Sequence, residues 1–201
     1  MDATVEDGVD GALVAALESG ESVLAAAGAL LDYTGEVRVE RAREGALRSV
    51  ANAARQVELT PVRVTAESRA TVRFAPGHHG ELVACDASDR TVSVARPAFL
   101  AAPGDVDVSV DRVGNAPDRG VGLFLTSFAG ATVYAAGRGR VERFEVEGER
   151  VVAADHVVAF DDRADVSVRR LSAVEDATAV CRVRGPGAVW VATRRAGSSA
   201  N

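Results

Sequence analysis

The sequence predicts an all-β chain: a duplicated β-sandwich with one short helix near residues 46–57. Three observations carry this expectation. Period-two alternation recurs in Val37-Arg-Val-Glu, Val62-Arg-Val-Thr, Thr71-Val-Arg-Phe, Thr91-Val-Ser-Val and Arg140-Val-Glu-Arg-Phe-Glu-Val, which places one strand face in a core and the other in water. Turn signals at Pro76-Gly77, Pro103-Gly104, Glu147-Gly148-Glu149 and Gly185-Pro186-Gly187 separate these runs. Finally, Asp-Val-Ser-Val occurs at 107–110 and again at 165–168, an offset of 58, and Arg96–Val108 runs gap-free against Ala154–Val166. A shared pattern at so long a period marks one structural unit built more than once.

The acidic stretch 1–11 reads as a flexible lead. Ala12–Leu31 is Ala-rich and has helical propensity, but Glu18-Ser19-Gly20-Glu21 is a good turn. It splits the stretch into strands Leu13–Leu17 and Val23–Leu31, expected to pair as a hairpin. Ala46–Leu59 sets Leu47, Val50, Ala54 and Val57 on one helical face. Ala70-Thr-Val-Arg-Phe-Ala, Ala131-Thr-Val-Tyr-Ala-Ala and Gly187-Ala-Val-Trp-Val-Ala align with Val72, Val133 and Val189 in register. Each repeat is then a strand, a hairpin, a strand, a corner and an alternating strand, with a third partial unit ending after its first strand. The expected division is a first sandwich half at 12–114, a linker at 115–119 carrying Pro117, and a second half at 120–195 packed on the first as one unit. The tail, 196–201, is expected to be disordered.

Bulk properties exclude several classes. With 201 residues and 47% hydrophobic content the chain can build a core without disulfides or metal. Aromatics are 4%, so Val, Ala and Leu must fill it. All 23 basic residues are Arg, and the net charge of −6 disfavours general phosphate binding. Cys85 and Cys181 are isolated in apolar strand patterns, as small buried hydrophobes are. Val23–Leu31, the longest apolar stretch, is far short of the ~20 residues a membrane helix needs. No targeting signature opens the chain, and the expected location is cytoplasmic.

Chemistry-bearing residues are few. His78 and His79 follow Pro76-Gly77 on a turn and are the best metal candidates. The remaining histidine, His156, aligns with Ala98 rather than with them, so no ligand set converges and a hairpin tip is the simpler reading. Asp155-His156 beside a Ser or Cys would be a hydrolase constellation, but no nucleophile elbow accompanies it. Asp161, Asp162 and Asp165 lack the spacing of a calcium loop. Arg138-Gly139-Arg140 and Arg194-Arg195 offer phosphate contacts, yet Glu142, Glu145, Glu147 and Glu149 follow, and stacking aromatics are scarce. Trp190, the sole tryptophan, reads as an anchor of the core or of a subunit interface.

Four segments together resemble the family of altered inheritance of mitochondria protein 24: Gly20-Glu-Ser-Val-Leu-Ala-Ala-Ala-Gly-Ala-Leu, Gly122-Leu-Phe-Leu-Thr-Ser-Phe-Ala-Gly, Val151-Val-Ala-Ala-Asp-His-Val-Val-Ala-Phe and Gly185-Pro-Gly-Ala-Val-Trp-Val-Ala-Thr-Arg. They run in order over about Ala12–Arg195. Ala192 departs from the family, which usually has Gln there. The resemblance implies a sandwich like the tryptophan RNA-binding attenuator protein, of the double-stranded β-helix type. It implies homotrimers and no established enzyme activity. The expectation is therefore a non-enzymatic oligomeric scaffold or binding module with no catalytic residue, metal or cofactor. No nucleic-acid partner and no membrane span are expected. The alternatives are a cupin-like small-molecule or metal enzyme and an RNA binder.

Overall fold

The computed structural model describes residues 1–6, 10–42, 61–113, 123–170 and 179–196. Alternation sets its strands. In Ala70–Phe74 the side chains of Ala70, Val72 and Phe74 are buried and that of Thr71 faces out, the two-residue period of the pleat. Alternation gives way to continuous burial where both strand faces are covered: every residue of Val157–Asp161 is buried.

A short strand, β1 (Asp2–Val5), precedes three repeats of six strands each. The first repeat is β2 (Leu13–Leu17), β3 (Ser22–Ala25), β4 (Leu30–Thr34), β5 (Val37–Arg41), β6 (Val62–Ala66) and β7 (Ala70–Phe74). The second is β8 (Gly80–Asp86), β9 (Thr91–Ala95), β10 (Phe99–Pro103), β11 (Asp107–Val113), β12 (Leu123–Ala129) and β13 (Thr132–Arg138). The third is β14 (Val141–Val146), β15 (Glu149–Ala153), β16 (Val157–Asp161), β17 (Asp165–Arg170), β18 (Ala179–Arg184) and β19 (Gly187–Ala192). Short 3-10 turns, Arg96–Ala98 and Ala154–His156, occupy the same place in the second and third repeats, at the offset of 58 that the sequence displays.

The sheet order shows how the repeats interlock. All pairings between strands are antiparallel, in sheets β1-β2-β7-β4, β5-β6-β3-β10-β13-β8, β11-β12-β9-β16-β19-β14 and β15-β18-β17. Each six-stranded sheet takes three strands from one repeat and three from the next. The two joints are β3 against β10 and β9 against β16. A register shift recurs beside them: between Leu30 and Asp32 on β4, Phe99 and Ala101 on β10, and Val157 and Ala159 on β16. Asp32, Ala101 and Ala159 are therefore equivalent, as are Val72, Val133 and Val189.

Three hydrophobic cores fill the spaces between successive sheets. The first gathers Leu13, Leu17, Val64, Phe74 and Leu100; the second Val92, Phe128, Val133, Ala159 and Trp190; the third Leu125, Phe160, Cys181, Val183 and Val189. Each large aliphatic or aromatic side chain removed from water contributes about 1.5–3 kcal/mol, so no staple is required, and the two cysteines are free and buried.

Several expectations are corrected. Within the stretch read as a flexible lead, Asp2–Val5 pairs with Leu13–Leu17. The turn at Glu18–Glu21 is a crossing rather than a hairpin, because β2 pairs with β1 and β7 while β3 pairs with β6 and β10. Val23–Leu31 is two strands, broken at Gly28, whose φ of +80° suits glycine. The repeat is threefold: the first unit opens at β2 and ends at β7, which carries Val72, and β19 completes a full third unit. No division into halves follows, since β10 and β13 share a sheet with β3 and β6. The helix expected at 46–57, the linker 115–119 and most of the tail lie outside the described residues.

Candidate functional site

Two places are candidates, and one of them draws together what the sequence singles out. The first is a cleft of about 210 Å³ where His78, Arg138, Asp155, His156, Ala192 and Arg194 meet. The turn after β13 shapes one wall. Gly139 has φ of +70°, and Arg194 donates its backbone N–H to the Arg138 carbonyl at 3.1 Å. Thr193 holds the same turn, accepting from the Arg140 N–H at Oγ1, 2.9 Å, and donating its own N–H to the Arg140 carbonyl. His156 Nδ1 lies 2.7 Å from the Ala192 carbonyl; a carbonyl only accepts, so Nδ1 carries the proton. The position where the family usually has Gln is thus a 4% exposed alanine whose carbonyl fixes His156. Asp155 pairs with Arg195 at 3.4 Å. Burial holds the His78 imidazole below its ordinary pKa, and Arg138 adds repulsion in the same direction.

The other candidates stand apart from this cleft or are occupied. His79 is exposed and pairs with Asp10 at 2.9 Å; that bond, then the Gly80 N–H, holds the Asp10 carboxyl below the usual carboxylate range. The two adjacent histidines therefore point to different partners. Asp161 is fully buried, with Arg163 at 2.6 Å and Arg90 at 3.7 Å. Asp162 accepts from the Thr91 N–H at 3.2 Å, and Asp165 begins β17. Among the described residues no three His, Cys, Asp or Glu side chains converge as a metal would need. Burial raises both thiols to about 12, which leaves negligible thiolate for catalysis. Arg140 is engaged by Glu142, and Arg143 by Glu145 at 2.5 Å. Trp190, 6% exposed, belongs to the second core, with the Arg143 guanidinium 5.2 Å from its ring centroid.

The second place is one sequence reasoning missed: the open edges β4 and β15. Their counterparts in the other repeats are paired on both sides, whereas among the described residues β4 bonds only β7 and β15 only β18. Among the described residues the exposed large hydrophobics are Leu31, Tyr33, Val39 and Val151, and three of these lie on these two strands. Leu31 is 52% exposed while its counterparts Leu100 and Val158 are each 2% exposed. Tyr33 corresponds to the buried Ala102 and Phe160, and Val151 to the buried Leu24 and Ser93. The signal that reveals them is the threefold alignment, which turns an ordinary exposed leucine into a position expected to be covered.

Comparison with known proteins gives the same architecture. A protein-family model described as mitochondrial biogenesis AIM24 matches residues 5–194. The chain belongs to this family. A solved structure from Streptococcus pyogenes is similar to this AIM24-family chain at a TM-score of 0.81 and 19% identity, covering 96% of this chain and 94% of the other; at that identity the likeness shows the fold. No curated protein matches. Among the described residues of this AIM24-family chain no helix is long and apolar enough to cross a membrane.

Proposed function

We propose that this AIM24-family chain is a non-enzymatic oligomeric scaffold that works as a cytoplasmic homotrimer. The observation that carries the reading is the pair of unpaired sheet edges bearing apolar side chains. An unpaired edge is a template for another strand, and natural chains normally blunt it with charge or cover it. Two different edges on one chain make a head-to-tail contact, which closes into a ring when the rotation permits.

The polar groups support a structural role rather than a catalytic one. His156, Asp155 and Asp161 are held by neighbours, and neither thiol is poised to react. Light scattering coupled to chromatography tests the assembly: a trimer of this 20.8 kDa chain gives about 62 kDa, and a mass of one chain at micromolar concentration overturns the reading. Elemental analysis tests the absence of a metal role, which one zinc or iron per chain would refute. Retention of RNA on a filter at low salt would favour the RNA alternative instead.

A further inference from the structure

The two joints inside the chain supply a template for contact between chains. At the first joint Ala101 faces Ala25, Ala102 faces Leu24 and Pro103 faces Val23. At the second, Ala159 faces Val94, Phe160 faces Ser93 and Asp161 faces Val92. The recurring register shift makes Asp32, Tyr33 and Thr34 of β4 the counterparts of Ala101, Ala102 and Pro103. The offset of 58 makes Arg150, Val151 and Val152 of β15 the counterparts of Val92, Ser93 and Val94. We infer that β4 of one chain pairs antiparallel with β15 of a second copy of the chain, with Tyr33 facing Val151, Asp32 facing Val152 and Thr34 facing Arg150. This builds a seven-stranded sheet: β17-β18-β15 of one chain and β4-β7-β2 of the other repeat the order of the two six-stranded sheets within the chain, and β1 adds an outer strand. The inference rests on the oligomeric reading above and names its interface.

Three observations fit this register. First, Leu31, Tyr33 and Val151 are exposed at positions whose counterparts the internal joints bury. Leu100, the counterpart of Leu31, packs in the core of the preceding repeat, and Val158 does the same one repeat later. Leu31 thereby meets the third core of the neighbouring chain. Second, the register brings Tyr33 and Val151 directly opposite, so two half-exposed side chains cover each other. Third, Arg63 lies opposite Leu24 on β6, and its Nη1 reaches across the first joint to the Gly104 carbonyl at 2.8 Å. Arg182 lies opposite Val151 on β18 in the same way, and the counterpart of Gly104 in the first repeat is Gly35. The Arg182 side chain is mostly buried, with Glu149 at 3.2 Å as its ion partner. The new joint sets it beside the Gly35 carbonyl of the neighbouring chain.

The joint is more polar than the internal ones. Asp32 stands where they have alanine, and it is held by Arg73 at 3.0 Å. That is the difference expected between a subunit interface and a core.

Cysteine cross-linking tests the register. Directly opposed antiparallel residues have Cα atoms roughly 4.5–5.5 Å apart, within the span a disulfide accepts. The native thiols are buried, so the parent chain is the blank. Under mild oxidation the double variant Tyr33→Cys/Val151→Cys should give a ladder of covalent dimer and trimer on non-reducing gels, and each single variant alone should give none. A dimer from either single variant means a symmetric edge contact and overturns the joint. No ladder from the double variant, with light scattering still showing an oligomer, overturns the joint while leaving the oligomer intact. A one-chain mass for the unmodified protein removes both. As a second variant, Val151→Lys should lower the mass to one chain without lowering the melting temperature of the monomer fold; an unchanged oligomer mass counts against the joint.

Discussion

The three-repeat alignment makes a stability series possible within one chain. Arg73, Tyr134 and Trp190 occupy equivalent positions on β7, β13 and β19, opposite Asp32, Ala101 and Ala159. Trp190 is 6% and Tyr134 7% exposed, whereas Arg73 is partly exposed and pairs with Glu6 and Asp32. Truncating a buried large aromatic to alanine costs about 3–5 kcal/mol through lost transfer energy and the cavity left behind. The Arg143 contact adds at most ~0.5–1 kcal/mol for Trp190, because that arginine is largely in water. Tyr134→Ala should cost roughly 3 kcal/mol by the same reasoning. Arg73→Ala removes surface ion pairs worth about 0–1 kcal/mol. The expected order is Trp190→Ala, then Tyr134→Ala, then Arg73→Ala far behind. In a chain of this size each kcal/mol lowers the melting temperature by roughly 2–4 °C, so Trp190→Ala should melt about 6–20 °C below the parent. Far-ultraviolet circular dichroism is the assay, since the mutation removes the only tryptophan. Trp190→Ala within 1–2 °C of the parent, or Arg73→Ala as damaging as Trp190→Ala, would refute both the equivalence and the burial.

Three further outcomes follow from particular groups. Cys85 and Cys181, their thiols raised to about 12 by burial, should not react with a chromogenic thiol reagent at pH 8 within an hour, and both should react in denaturant; fast native labelling would contradict their placement. His78 has a folded pKa below its unfolded value of ~6.5, so the unfolded chain binds its proton first. Its contribution is intact above that unfolded value and declines as pH falls through it; between pH 7.5 and 5.5 the parent should lose more melting temperature than His78→Gln, and the reverse order would show the sign to be wrong. A Cβ on Gly80 would sit 1.8 Å from the Gly137 carbonyl oxygen, so Gly80→Ala should force β8 from β13 and cost about 1–3 kcal/mol, read by denaturant titration; a neutral result would mean the strands approach less closely than described.

The strands were legible wherever one face stays wet, as Ala70–Phe74 carries the alternation openly, while Thr91–Ala95 alternates in sequence although Val92 to Ala95 are all buried. The offset of 58 runs through the two corners that are 3-10 turns, through β10 and β16, and through the first four residues of β11 and β17. Apart from β7 with Val72, the first repeat stayed hidden for a physical reason. Nothing among the described residues pairs with the outer edge of β4, and there Asp32 and Arg73 replace the Ala and aromatic residues that mark the other repeats, while an Ala-Ala-Gly-Ala corner replaces Arg96-Pro-Ala. The crossing at Glu18–Glu21 looked like a hairpin because a turn signal fixes a change of direction and not the sheet entered afterwards. The cleft was half legible: His78, Arg138, His156 and Arg194 were each conspicuous, but their convergence depends on β13 and β19 sharing neighbours. The open edges could not be read from strand patterns at all, since exposure is informative there only against a repeat in which the same position is covered.

Sharing each inner sheet between successive repeats also governs how the chain can come apart. No repeat owns a complete six-stranded sheet, so loosening one repeat strips three strands from a sheet belonging equally to its neighbour. Unzipping cannot stop at a boundary between repeats, as it can in arrays whose units are each self-contained. Unfolding of the described residues should therefore be a single event, with fraying confined to β1 and to the two ends where a sheet is only half built.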